Sequence, residues 1–233
     1  MENESSPLPA RVGNRARLLY AKVRHRVGKV LFERRFDAET SGKIELEQLG
    51  LESETEGGRR LYYQPSQWLS LRTALSPGEV GPEDVFIDIG SGLGRVVLQA
   101  AEYPFKRVRG IELSEELNEV AKRNVERNRA RLICQDIELT AGDALEHGLP
   151  DDVTVAFLHN PVRGDLFRQL VDCMIASVDR NPRPLRIIYN NPTEHEMLMR
   201  TGRVRVVKER PPKWLRQALQ MTSIRLYVMW PQA

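Results

Sequence analysis

Phe86-Ile87-Asp88-Ile89-Gly90-Ser91-Gly92-Leu93-Gly94-Arg95 is the stretch that decides the fold. Val85–Ile89 is a short apolar run that ends in glycines, the pattern of a buried parallel strand. Gly94 to Tyr103 reads as the helix that follows. Glycines between a strand and a helix permit a tight turn and let a ligand approach the backbone. A dinucleotide site asks for G-x-G-x-x-G with a pyrophosphate on the helix N-terminus. Here the spacing is G-x-G-x-G, and Asp88 stands two residues before the first glycine. A carboxylate there repels a pyrophosphate and favours a cationic ligand end, such as the ammonium of a methionine moiety.

Working outward, the chain keeps alternating strand and helix. Arg107–Glu112 reads as a second strand, and Ser114 as the cap of a helix with Leu117, Val120, Ala121 and Val125 on one face. Ile137–Ala141, Val153–Leu158 and Pro184–Tyr189 read as further strands. Helices are expected over Leu166 to Val178 and near Glu194–Arg200, and Val204–Lys208 with Ile224–Trp230 as a final antiparallel pair. This alternation predicts an α/β doubly wound sheet. Upstream, Ser66 is expected to cap a helix running through Leu69, Leu71 and Leu75 until Ser76-Pro77-Gly78 stops it. Residues 37–60 read as a connector or short elements. Residues 11–35 carry nine Lys or Arg against one acid, with Leu19, Val23, Val27, Val30 and Leu31 near helical spacing, so a basic amphipathic helix is expected. Residues 1–10 are polar and expected to be disordered. The resulting division is 1–60 as an N-terminal extension and 61–233 as the ligand-binding domain.

Composition narrows the function classes. The 233 residues suit one α/β domain with an extension. No apolar run reaches the ~18 residues of a membrane span. The acidic, polar N-terminus lacks the pattern of a secretory signal. Cys134 and Cys173 show no metal-ligand spacing, so reduced thiols in a cytoplasmic protein are expected. A net charge of +3 does not by itself imply a nucleic acid.

Two more strand ends carry acids. Glu112, in Gly110-Ile111-Glu112-Leu113, lies 24 residues after Asp88 and can accept both protons of a ribose diol. Asp143, in Ala141-Gly142-Asp143-Ala144, can take an adenine amino group. These features resemble motifs I, II and III of the class I S-adenosylmethionine-dependent methyltransferases, over roughly residues 60–230. The Phe86–Gln99 run, with a Tyr-containing segment upstream, is similar in particular to the non-SET histone lysine methyltransferases and to bacterial methyltransferases of unassigned substrate. The resemblance implies a Rossmann-like seven-stranded sheet of order 3-2-1-4-5-7-6 with strand seven antiparallel. It implies S-adenosylmethionine as cofactor and S-adenosylhomocysteine as product. It implies a donor site of Tyr63, Asp88, Gly90, Ser91, Gly92, Gly94, Arg95, Glu112, Leu113, Gly142, Asp143, Ala144 and Asn160.

The acceptor side is expected at the ends of the fourth and fifth strands. Asn160-Pro161 matches the start of an amino-methylating Asn-Pro-Pro-aromatic pattern, and Val162-Arg163 breaks it. Asn160 is expected to accept a hydrogen bond from an amine, with Tyr189 helping to orient the acceptor. His159 and, second to it, His195 are the general-base candidates. Neutral Asn160, Asn190 and Asn191 stand where metal-dependent relatives use carboxylates, so no metal is expected. The expected acceptor is a nitrogen or oxygen of a small molecule, with a protein lysine as alternative and nucleic acid disfavoured. A non-catalytic binding module is the rival from another class.

Overall fold

The computed structural model describes residues 23, 26–40, 44, 54–55, 58–60, 64–212, 214–216 and 223–232, of which 54–55 and 58–60 as backbone only. Helix α1 occupies residues 26–35. A short ribbon, β1 (Glu54–Thr55) and β2 (Gly58–Arg60), precedes α2 (Ser70–Ala74). The alternating part comprises β3 (Val85–Ile89), α3 (Arg95–Ala101), β4 (Arg107–Glu112), α4 (Glu115–Asn128), β5 (Ile137–Ala141), α5 (Ala144–His147) and β6 (Val155–Leu158). It continues with β7 (Val162–Gly164), α6 (Asp165–Arg180), β8 (Leu185–Asn190), α7 (His195–Arg200), β9 (Val204–Arg210) and β10 (Ile224–Met229).

Seven strands form one sheet in the order β5-β4-β3-β6-β8-β10-β9. Counted along this sheet, that is the expected 3-2-1-4-5-7-6, with β10 antiparallel to both neighbours. Side chains alternate across the strands and feed two apolar layers. Phe86, Val108, Phe157 and Ile188 join Leu71, Leu75, Val97 and Val125 on one side. Ile87, Ala156, Leu158 and Ile187 join Leu166, Leu170 and Leu198 on the other. β3 is buried at all five positions, because it is central and covered on both faces. α4 starts on Ser114, whose Oγ accepts from Leu117 N, with Glu115 and Glu116 in the positive first turn. β3 pairs with both β4 and β6, so the strand order reverses there, and a crevice opens at the strands' carboxyl ends.

Residues 26–40 pack into the same core as the alternating part. Phe32 and Phe36 are fully buried and meet Trp68 edge-on at 5.7 and 6.3 Å. Beyond Phe36 the chain runs along α4, clasped by two amides. Asn128 takes the backbone of Asp37, and Asn124 that of Glu39, each through one donated and one accepted hydrogen bond. Residues 1–22, where the polar tail and the first half of the basic helix were expected, lie outside the described residues. Among those described, no helix is long and apolar enough to cross a membrane.

Three local expectations are corrected. The helix expected from Ser66 begins at Ser70 and has no side-chain cap, because Ser66 Oγ is engaged with His159 instead. β7 was not anticipated; three residues cannot show an alternating pattern, and this strand exists only because β2 pairs with it. The single turn α5 was missed for the same reason of length.

Candidate functional site

The crevice at the carboxyl ends of β3, β4 and β6 is a cleft of about 950 Å³, its open mouth included. Its wall is built first by the glycine turn. Gly90 and Ser91 both donate their N–H to Ile111 O, at 2.9 and 3.0 Å, which folds the chain back over β4. Gly90 has φ +77°, and a Cβ there would lie 3.1 Å from Pro161 Cβ. Gly94, at φ +79°, would place a Cβ 3.0 Å from Ala121 Cβ, so its bareness lets α3 start against α4. Gly92 N donates to Glu112 Oε2 at 2.7 Å.

Two carboxylates sit in this wall. Glu112 is 7 % exposed and also accepts from Ser114 N at 3.1 Å. Burial raises its pKa against those hydrogen bonds. Asp88 is 3 % exposed, and its pKa lies well above the ordinary carboxylate range because of burial and then the charge of Glu112. Among the described residues no hydrogen bond or ion pair holds the Asp88 carboxylate. Ser91 Oγ, in the same wall, is buried without a hydrogen-bond partner. Unmatched polar groups of this kind are costly in a finished core and fit a site shaped for a ligand. Two acids side by side favour a ligand that brings positive charge.

The remaining donor-site residues divide. Gly142, Asp143, Ala144 and Leu113 line the cleft as the sequence suggested. Asp143 also caps α5, accepting from Leu145 N at 2.9 Å. Arg95 lines the cleft too, but its Nη1 reaches Thr40 Oγ1 at 3.3 Å and its guanidinium lies 4.1 Å over Phe32, tying α3 to the N-terminal segment. Tyr63 lies outside the described residues. Gln64 and Ser66 line the cleft and had no sequence signal, since a lone Gln or Ser before a helix carries no pattern.

On the acceptor side, His159 and Asn160 line the cleft, whereas Tyr189 stands behind them. Asn160 has φ +51°. Its Nδ2 donates to Asn191 O at 2.9 Å, which fixes the amide orientation, since a carbonyl only accepts. Its Oδ1 receives Tyr189 Oη at 2.9 Å and Thr193 Oγ1 at 2.6 Å. The expectation that Asn160 Oδ1 meets an incoming amine is therefore corrected, because both lone pairs are taken. Tyr189 is fully buried and stacked on Phe167, so it holds Asn160 rather than facing the cleft. His159 Nδ1 lies 3.0 Å from Ser66 Oγ, and burial pulls its pKa down to about 4. His195 Nδ1 is paired with Tyr227 Oη at 3.0 Å and does not line the cleft.

Comparison with known proteins agrees with this architecture. Residues 65–143 match the family model described as histone methylation protein DOT1. An "Uncharacterized RNA methyltransferase" of Lactobacillus johnsonii is 31 % identical over 122 residues, 51 % of this chain. The chain spans about a quarter (26 %) of that relative's length. The tRNA m1G37 methyltransferase of M. jannaschii superposes with a TM-score of 0.51 at 14 % identity, covering 77 % of this chain and 56 % of that one. A Streptococcus pneumoniae protein with a provisional tRNA (m1A22) methyltransferase assignment gives 0.50 at 17 % identity, covering 73 % and 72 %. Strand order and the matched segment make the chain similar to the class I S-adenosylmethionine-dependent methyltransferases. The segment similar to DOT1 proteins, residues 65–143, runs from just before α2 through the glycine turn to Asp143. The expectation that nucleic acid is disfavoured as a partner is corrected, because the relative from L. johnsonii bears the name of an RNA methyltransferase.

Proposed function

We propose that this chain binds S-adenosylmethionine in the cleft and catalyses transfer of its methyl group to a nitrogen or oxygen nucleophile, with RNA as the acceptor. The observation that carries the donor reading is the pair of buried carboxylates, Asp88 and Glu112, beside the glycine turn, with Asp88 lacking any described partner. When bound, S-adenosylmethionine supplies a methyl group on a positively charged sulfur that leaves without acid assistance. Asp88 takes the ammonium of the methionine end, and Ser91 Oγ and the turn's amides lie beside it. Glu112 receives the ribose hydroxyls on the lone pairs left by Gly92 and Ser114. Asp143, Ala144 and Leu113 flank the adenine.

Little remains for the protein beyond positioning and exclusion of water. Asn160 shapes the mouth as a rigid wall, locked by Tyr189, Thr193 and Asn191. His159 is neutral at pH 7, so it adds no positive charge beside a cationic donor. With a pKa of about 4 it is a weak base, and it serves by hydrogen bonding to the acceptor rather than by removing a full proton. RNA is favoured as acceptor by the names of the relatives and by the cationic flank of the N-terminal helix, where Arg26, Lys29, Arg34 and Arg35 are exposed.

Calorimetric titration with S-adenosylmethionine, S-adenosylhomocysteine and NAD tests the donor half. Binding of the first two and not the third is expected, and loss of both on Asp88→Ala with Glu112→Ala. Unchanged affinity in that double variant would sink the reading. Incorporation of labelled methyl into bulk RNA, bulk protein and a metabolite pool then tests the acceptor, with signal expected in the RNA fraction. Signal in either other fraction alone would remove RNA.

A further inference from the structure

We propose that Arg163 is the centre of an anion subsite that grips a phosphate of the acceptor; the inference rests on the methyltransferase reading above and assigns its substrate class more narrowly. Arg163 lies in the middle of β7, one residue beyond Val162, which lines the cleft, and three beyond Asn160. Strand alternation places it on the face of β7 opposite Val162, beside the cleft rather than in its lining. Its Nε is buried without a hydrogen-bond partner, and no carboxylate pairs with its guanidinium among the described residues.

Several other partly buried arginines are paired with acids. Arg109, Arg186, Arg203 and Arg225, whose side chains are 17 to 21 % exposed, each hold a carboxylate: Glu138, Asp84, Asp179 and Glu209. A partly buried guanidinium with no anion is costly.

The surroundings set limits on what the subsite takes. Glu194 Oε1 accepts from Gly164 N at 3.4 Å, and its charge, like that of Arg163, is felt at Tyr189. Asp165, in the first turn of α6, is turned to Arg168 at 3.1 Å. Neither acid pairs with Arg163. A phosphate diester presents oxygens that suit a guanidinium fork, and a nucleotide whose base enters the cleft carries its phosphate past the rim. The subsite therefore belongs to a nucleic-acid acceptor rather than to an uncharged small molecule.

The test uses the full chain, a 5′-fluorescein-labelled tRNA transcript as probe, and Arg163→Gln and Arg163→Lys. Arg163→Gln is expected to weaken RNA binding about tenfold and to lower the slope of log Kd against log salt by about 1. Arg163→Lys should restore the slope but not all of the affinity. S-adenosylhomocysteine affinity, read by calorimetry, should be unchanged in both. Ligand-free Arg163→Gln should melt no lower than wild type, since it removes an uncompensated charge. An unchanged RNA affinity and slope would overturn the proposal. So would a fall of several degrees in melting temperature in both variants, which would make Arg163 structural. Displacement of Arg163-dependent binding by polyglutamate but not by RNA would move the subsite to an acidic protein. Failure of wild type to bind S-adenosylhomocysteine would sink the donor reading, while the RNA titration would still judge Arg163.

Discussion

The two halves of the cleft treat their polar groups in opposite ways. On the β3–β4 side, Asp88 and Ser91 are buried with no described partner, and Glu112 is held by backbone amides while facing the cleft. On the β6–β8 side, Asn160, Tyr189, Thr193 and Asn191 satisfy one another in a closed network. The first half is incomplete as a folded core and, on the proposed reading, is completed by a ligand. The second half is complete by itself and acts as a wall. Identical chemistry, a buried polar side chain at a strand end, is thus left open for a ligand in the proposed reading at one place and closed into a rigid network at the other. The deciding factor is whether a neighbour closes the hydrogen-bond count.

This contrast can be broken at several points. The largest effect is expected at Asp88. Asp88→Asn should lower S-adenosylmethionine affinity by about 10- to 100-fold, as loss of a charge-assisted contact does. The same change should raise the stability of the ligand-free protein, because it removes a buried charge with no partner. Calorimetry and thermal melts read the two signs separately, and a fall in both would mean that Asp88 is structural. Protonation acts likewise. The Asp88 pKa is raised, so its contribution to stability is present at low pH and is lost as pH rises through the folded-state value. Donor affinity should accordingly weaken on acidification, and Asp88→Asn should flatten that dependence.

Next in size is Gly90→Ala, which combines φ +77° with a Cβ 3.1 Å from Pro161. A loss of about 2 kcal/mol in denaturant unfolding is expected, with weaker donor binding. An unchanged midpoint would show that the turn can relax. A comparable effect belongs to His159. Its pKa is lowered from 6.5 to about 4, so the fold holds the neutral ring. Its share of stability is complete above pH 6.5 and is lost as pH falls towards 4, about 2 kcal/mol once its partial exposure is discounted. Stability measured across that window should fall less in His159→Gln than in wild type. Parallel curves would show that His159 titrates normally.

The smallest effect is expected in the closed network. Tyr189→Phe removes one of two donors to Asn160 Oδ1 while Thr193 remains, and should cost about 1 kcal/mol. Donor affinity should not move. A large drop in donor affinity would contradict the division between an open half and a closed half.

Much of this was legible along the chain. Asp88, Gly90 and Gly92 announce themselves because a strand, an acid and a tight turn occupy consecutive positions. Glu112 and Asp143 follow at the ends of strands that the hydrophobic pattern locates. The roles of Asn160 and Tyr189 were misread, because the sequence shows that two polar residues end adjacent strands but not that they face each other. Ser66 reads as a helix cap, since a Ser before an apolar helical pattern is a local signal. Its true partner, His159, lies 93 residues away. β7, which carries Arg163, depends on pairing with β2, which no local pattern reports.

By itself the sequence determined the period of each strand and helix, the order of the strands' acids and the glycine turn, because these follow from backbone conformation and the burial of neighbouring residues. Only the tertiary structure decided which polar groups were left without partners. A hydrogen-bond count closes or stays open between residues brought together from distant parts of the chain, and that count separates the groups that bind from those that hold the binding site in place.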